Sequence, residues 1–160
     1  MIFLTVGTQI PFDRLVRTVD RAVDEGIIKE QVYAQIGNSS YKPRYFKSTQ
    51  FLNKQEFDDS LHRCSSIISH AGMGSIILAL DNNKPMLVMA RLKKFGEAVN
   101  DHQVALAHRF EKNGCLLVAD HADEFADKFK QLQTFVPQKR QPKPQSVANR
   151  ITQFLETCKT

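Results

Sequence analysis

The sequence predicts an α/β fold: a doubly wound parallel sheet with helices on both faces. Three observations carry that prediction. Short apolar runs alternate along the chain with segments of helical period, the pattern of strand–helix–strand crossovers. The first run, Ile2 to Val6, is continuously apolar, as befits a strand buried on both faces. One strand-to-helix transition, Ser69-His70-Ala71-Gly72-Met73-Gly74-Ser75, passes through two glycines and a serine, a form that brings backbone close to a bound group.

The elements follow in order. After Ile2–Val6, Gly7-Thr8-Gln9 turns the chain and Pro11 suits a first helical position. Phe12, Leu15, Val16, Val19 and Val23 recur at helical spacing until Gly26. Val32 to Ile36 is the second strand, stopped by Gly37-Asn38-Ser39-Ser40, and a short strand is expected near Gln50-Phe51-Leu52. Asn53 with Glu56 reads as a capping box for a helix to about His62. Ile67-Ile68 is the next strand, and Ile76 to Leu80 is the helix after the glycine turn. Met86 to Met89 is a buried strand, and Arg91 to Val99, with no apolar period and Gly96 inside it, is a long loop. A helix capped by Asn100 and Gln103 runs to Lys112, Cys115 to Val118 is the last strand, and a further helix reaches about Phe135. The expected organisation is one domain over residues 1–135, a proline-rich connector over 136–145, and an amphipathic helix over 146–160 carrying Val147, Ile151, Phe154 and Leu155.

Composition narrows the function. At 160 residues, 42% hydrophobic and 24% charged, the chain has the make-up of an ordinary soluble domain with a real core. No apolar run reaches the roughly 18–20 residues that cross a bilayer, and the first run is too short for a signal-peptide core. A cytoplasmic location is therefore expected. Cys64, Cys115 and Cys158 have no metal-ligand spacing and read as free thiols. The net charge of +5 suits an anionic ligand, whereas basic residues are not interleaved with aromatics, so no nucleic-acid partner is expected.

The chemistry concentrates at strand ends, where open parallel sheets bind ligands. Gly72, Gly74 and Ser75 open a helix whose free N–H groups and positive end suit a phosphate; helix capping by Ser75 is the plainer alternative. Gly7 and Thr8 end the first strand, either as a cleft contact or as a tight turn. His70 either meets a phosphate or moves a proton, or is a packed histidine bonded to backbone. Arg91, Lys93 and Lys94 either close over a diphosphate, meet a partner, or form a solvated loop. The dinucleotide fingerprint GxGxxG and the Walker pattern GxxxxGK[ST] are both missing, which disfavours an oxidoreductase and an NTPase.

Taken together, Ile2 through Gln9, Pro11-Phe12-Asp13-Arg14-Leu15, Ser69 through Ser75, Lys84-Pro85, and Arg91 through Asn100-Asp101-His102-Gln103 resemble the PssE-type bacterial glycosyltransferase subunits. The same stretch is similar to the C-terminal half of MurG and to the catalytic subunit of the eukaryotic dolichol-linked N-acetylglucosamine transferase. The resemblance implies a Rossmann-like half of a GT-B glycosyltransferase, the half that holds a UDP-sugar. It implies a separate membrane-associated subunit of PssD type, a lipid-linked sugar acceptor, and a role in exopolysaccharide or capsule synthesis. The protein would then lie at the inner face of the plasma membrane through that partner, with the UDP-sugar as substrate and neither cofactor nor metal. The expected donor site comprises Gly7, Thr8, Gly72, Met73, Gly74, Ser75, Arg91, Asn100, Asp101, His102 and Gln103, with His70 as the catalytic residue; the resemblance implies that Gln103, with His102, touches the sugar or the phosphates, and local capping by Asn100 and Gln103 is the plainer alternative. Where the family places a ribose-binding glutamate this chain has Leu78, and Asp81 is the nearest acid. A non-catalytic nucleotide-sugar-binding module is the competing expectation.

Overall fold

The computed structural model describes residues 1–139 and, beyond them, Asn149, Arg150, Thr152 and Phe154. In chain order the elements are β1 (Ile2–Thr5), α1 (Asp13–Asp24), β2 (Val32–Gln35), β3 (Lys47–Thr49), α2 (Lys54–Arg63), β4 (Ser66–His70), α3 (Met73–Asp81), β5 (Met86–Met89), α4 (His102–Lys112), β6 (Leu117–Val118) and α5 (Phe125–Leu132). All six strands are parallel, in the order β3-β2-β1-β4-β5-β6. The doubly wound Rossmann-like sheet expected from the sequence is the one observed.

Side-chain alternation along β1 divides the core into two layers. Ile2, Leu4 and Val6 pack with Leu15, Val16 and Val19 of α1 and Phe125 and Phe129 of α5. Phe3 points the other way, into Leu61 of α2, Ile76 and Ala79 of α3, and Ala107 of α4. Both faces of β1 are thus covered, which is why its sequence does not alternate. Each large apolar side chain buried this way contributes roughly 1.5–3 kcal/mol.

Local chemistry explains most boundaries. Gly26 N–H bonds Val23 O at 3.0 Å and Ile27 N–H bonds Ala22 O at 2.9 Å, so α1 closes with paired carbonyls at a left-handed glycine. Asn53 Oδ1 accepts from Glu56 N–H and Glu56 Oε2 accepts from Asn53 N–H, both at 2.9 Å, completing the expected capping box.

Several boundaries differ from the sequence reading. Pro11 precedes the N-cap Phe12 of α1 rather than opening the helix. The edge strand β3 is at Lys47–Thr49, ahead of Gln50-Phe51-Leu52, because pairing to β2 and not hydrophobicity sets its register. β4 runs on to His70, carried by pairing on both sides to β1 and β5. β6 is only two residues long and α5 spans Phe125–Leu132, shorter than expected. Val136 to Lys139 has no regular structure. The rest of the expected connector and Val147, Ile151 and Leu155 of the expected helix lie outside the described residues.

Candidate functional site

The chain leaves β1 for α1 on one face of the sheet and leaves the neighbouring β4 for α3 on the other. Adjacent strands whose crossovers go to opposite faces open a crevice between their C-terminal ends. Here that crevice is a cleft of about 710 Å³. Thr5, Val6, Gly7 and Thr8 line it from β1, His70, Gly72, Gly74 and Ser75 from β4 and α3, and Arg91, Asn100, His102 and Gln103 from the β5 side.

His70 is fixed by its neighbours. Ser69 Oγ donates to Thr5 O at 2.7 Å, which uses its hydrogen. The 3.2 Å contact between Ser69 Oγ and His70 Nδ1 then has the imidazole as donor, leaving Nε2 as an acceptor. Two glycines make room for this ring. A Cβ on Gly72 would meet His70 Nε2 well under 3.0 Å, and one on Gly7 would meet Cε1 at 3.0 Å. Gly7 also has φ of +76°, a conformation L side chains rarely adopt. Burial, with the nearby Arg91 charge, pushes the His70 pKa down to about 4, so the ring is neutral at ordinary pH.

The N-terminus of α3 opens into the cleft without a capping side chain, an arrangement that suits an anion. Gly72 is its N-cap and no side chain caps it, so no capping side chain accepts from the first-turn N–H groups. Ser75 lies inside the helix and is not the cap. A Cβ on Gly74 would meet nothing within 4 Å, and that residue faces the cleft.

Arg91, which lines the same cleft, is a buried cation and not part of a solvated loop. One guanidinium nitrogen donates to Val6 O at 2.6 Å and Ile10 O at 2.5 Å, and the group lies 5.2 Å from the Phe12 ring centroid. Its Nε has no partner. Burial lowers the Arg91 pKa from its ordinary value while Glu97 opposes the shift. Arg91 N–H donates to Gln103 Oε1 at 3.2 Å. Gln103 is therefore a buried brace and not a helix cap, and its amide NH2 is the end left to face the cleft. Arg14 holds the following loop down, reaching Glu97 through two bonds of 2.9 and 2.8 Å and Ala90 O at 2.7 Å.

The other expected residues divide. Asn100 and His102 line the cleft, with Asn100 Oδ1 accepting from His102 N–H at 3.2 Å as a cap would. Met73 and Asp101 are not among the lining residues. Asp101 instead accepts from Lys93 N–H at 2.7 Å. Lys94 lies over the Phe95 ring, 5.0 Å from its centroid, and neither it nor Lys93 reaches the cleft. Leu78 lines the cleft and Asp81 does not. Sequence reasoning missed Leu52, Lys54, Phe57 and Asp58, and took Asn53 for a cap alone. Their signal was positional: the chain turns from an edge strand into a helix there, at the ligand-binding edge of the sheet.

The comparisons agree with this geometry. The glycosyltransferase family 28 C-terminal domain matches residues 1–159. The UDP-N-acetylglucosamine transferase subunit ALG13 of Homo sapiens is 32% identical over 124 residues, covering 72% of this chain and 10% of its own length. The subunit of the same name from Yarrowia lipolytica is 25% identical over 134 residues, covering 77% of this chain and 66% of its own. The chain thus spans about a tenth of the human relative. Among solved structures, the NMR structure of ALG13 superposes with a TM-score of 0.58 at 19% identity, covering 85% of this chain and 87% of that one. Acinetobacter baumannii MurG gives 0.56 at 17%, covering 82% of this chain and 40% of that one, so the fold is that of a GT-B half. By sheet order, cleft and sequence together, this chain belongs to the glycosyltransferase family 28 C-terminal domain family.

Proposed function

We propose that this chain is the donor-binding, catalytic half of a two-component GT-B glycosyltransferase. It moves a sugar from a UDP-sugar to a lipid-linked acceptor, in bacterial exopolysaccharide or capsule synthesis. The observation that carries the reading is the uncapped N-terminus of α3 facing an open cleft that the buried Arg91 also lines. The relatives named as UDP-N-acetylglucosamine transferase subunits support UDP-N-acetylglucosamine as the first donor to try. The second wall of the cleft, and the acceptor site, come from a membrane-associated partner of PssD type, which holds this chain at the cytoplasmic face of the membrane. No helix among the described residues is long and apolar enough to span a bilayer itself. The Rossmann-like unit in this reading is residues 1–135.

In this reading the bond from the anomeric carbon to the diphosphate breaks, and the leaving diphosphate gains charge. The α3 N–H groups, Ser75 and Arg91 stabilise that charge, with Met73 carried in the same turn. Gly7 and Thr8 form the facing wall. Asn100, His102 and Gln103 form the sugar end, with the Gln103 amide donating to a sugar oxygen and Asp101 steadying the loop through Lys93 N–H. The acceptor oxygen attacks the anomeric carbon and gives up its proton. His70 is the proton acceptor: it is neutral with Nε2 free, and a diphosphate nearby raises its proton affinity. The UDP-sugar is the substrate, and the reading invokes no cofactor, no metal and no nucleic acid.

Thermal-shift titration tests the donor. UDP or a UDP-sugar at 100 times its dissociation constant should stabilise the fold by about 2.7 kcal/mol, while NAD should not. Equal protection by NAD would remove the reading. Transfer to a lipid-linked acceptor should appear only when the partner is added. Full turnover by the isolated chain would contradict the half-enzyme, and binding without turnover even with the partner would favour a non-catalytic donor-binding module.

A further inference from the structure

We propose that Asp58 on α2 accepts the ribose hydroxyls of the bound nucleotide, a reading that rests on the nucleotide-sugar function above. The cleft has two ends, one on each side of the α3 N-terminus. α4 follows β5 and closes one end with Asn100, His102 and Gln103. α2 follows the edge strand β3 and closes the other with Phe57, together with Leu52 ahead of it and Leu78 of α3, beside Asn53, Lys54 and Asp58. A nucleoside diphosphate sugar is asymmetric in the same way. Its hexose needs hydrogen-bonding groups, and its flat base needs apolar surface. With the diphosphate at α3, the base belongs on the Leu52–Phe57–Leu78 shelf and the ribose beside it.

Ribose offers two neighbouring O–H donors, which a carboxylate with two acceptor oxygens matches. Among the described residues, two carboxylates line the cleft, Asp58 and Glu97. Glu97 is spent: Arg14 takes both its oxygens, and Oε2 also accepts from Leu92 N–H at 3.0 Å. Asp58 is open. Its Oδ2 accepts from Lys54 Nζ at 2.7 Å, one helical turn away, and Lys54 is 89% exposed. Such an exposed pair is weak and gives way to a better-fitting partner. Position fits as well. Phe57 and Leu61 share a small apolar pocket with Ser75 and Leu78, so α2 abuts α3. Asp58 follows Phe57 directly and borders the cleft at this seam. α3 itself offers no carboxylate to the cleft, because Leu78 lines it and Asp81 does not.

Calorimetric binding of UDP and of 2′,3′-dideoxy-UDP to the whole chain and to its Asp58→Ala and Asp58→Asn variants tests this. The unaltered chain should prefer UDP by roughly tenfold, the size of hydrogen bonds to a charged group. Both variants should lose that preference, binding UDP about tenfold more weakly and the dideoxy compound as before. Circular dichroism and melting check that both are folded, and Asp58→Asn keeps the side-chain shape. If the preference survives in both variants, Asp58 is not the ribose acceptor, and the donor-binding reading stands. If UDP does not bind the unaltered chain, the donor-binding reading falls and this assignment with it.

Discussion

Gly72 and Gly74 stand two residues apart in one turn and answer to different neighbours. Gly72 is glycine because the His70 ring occupies the space a side chain would need. A Cβ at Gly74 would meet nothing within 4 Å beyond its own stretch of helix, and Gly74 lines the cleft. The first serves the fold, by seating a buried histidine against β1. The second, in the proposed reading, leaves a ligand room to approach the backbone. A motif of alternating glycines can therefore divide, one glycine seating a core side chain and the other lining a cleft.

Acid titration probes the architectural half most strongly. The His70 pKa falls from 6.5 to about 4 on folding. Above pH 6.5 the ring is neutral in both states and costs nothing. As pH drops from 6.5 toward 4 the unfolded chain takes up a proton that the native ring refuses, so stability falls, by up to about 3 kcal/mol. Carboxyls held below their ordinary range lose stability in an overlapping acid window. Asp13 is one: hydrogen bonds from Ser39 and Ser40 outweigh its burial. The difference between the parent chain and a His70→Gln variant isolates the histidine. That difference should be flat above pH 6.5 and grow below it; a flat difference down to pH 4 would mean the ring is not sealed by its neighbours.

Gly72→Ala is the next largest effect. Forcing a methyl against a packed ring costs about 1–3 kcal/mol, or roughly 2–4 °C of Tm for each kcal/mol. The cost should shrink when His70 is also replaced by alanine, giving a clear coupling in the double-mutant cycle. Additive losses would show that Gly72 is glycine for some other reason. Gly74→Ala should behave oppositely. Without ligand its stability should stay level or rise by less than about 1 kcal/mol, since alanine suits a helix better than glycine. Its affinity for UDP should drop. A Gly74→Ala protein that melts as early as Gly72→Ala, or that binds UDP unimpaired, would erase the distinction between the two positions.

Much of this was legible in the chain. The unbroken apolar run at Ile2–Val6 foretold a central strand, and Asn53 with Glu56 foretold the start of α2, because both signals are local. The cleft's centre was legible too, since glycines at a strand end leave few alternatives. The rest depended on pairing across distance. Nothing near Arg91 in sequence shows that Val6, Ile10 and Gln103 will enclose it, so it read as a loop cation. The α2 wall was hidden because Lys54 and Asp58 look like any solvated pair on a helix. β3 was misplaced because an exposed edge strand carries no apolar signature.

The central position of β1 also governs how the molecule assembles. Ser69 Oγ and Thr5 O, which meet across β1 and β4, are 64 residues apart in the chain. Closing so long a loop is entropically costly and slow compared with local contacts. Until β4 arrives, β1 has one edge unpaired, and its apolar run is open to association with other chains. The same closing event brings Gly7 against His70, so the crevice forms when the sheet's middle does and not before. Recovery of nucleotide binding after dilution from denaturant should therefore follow the slow step that completes the sheet, and lag the rise of helical signal.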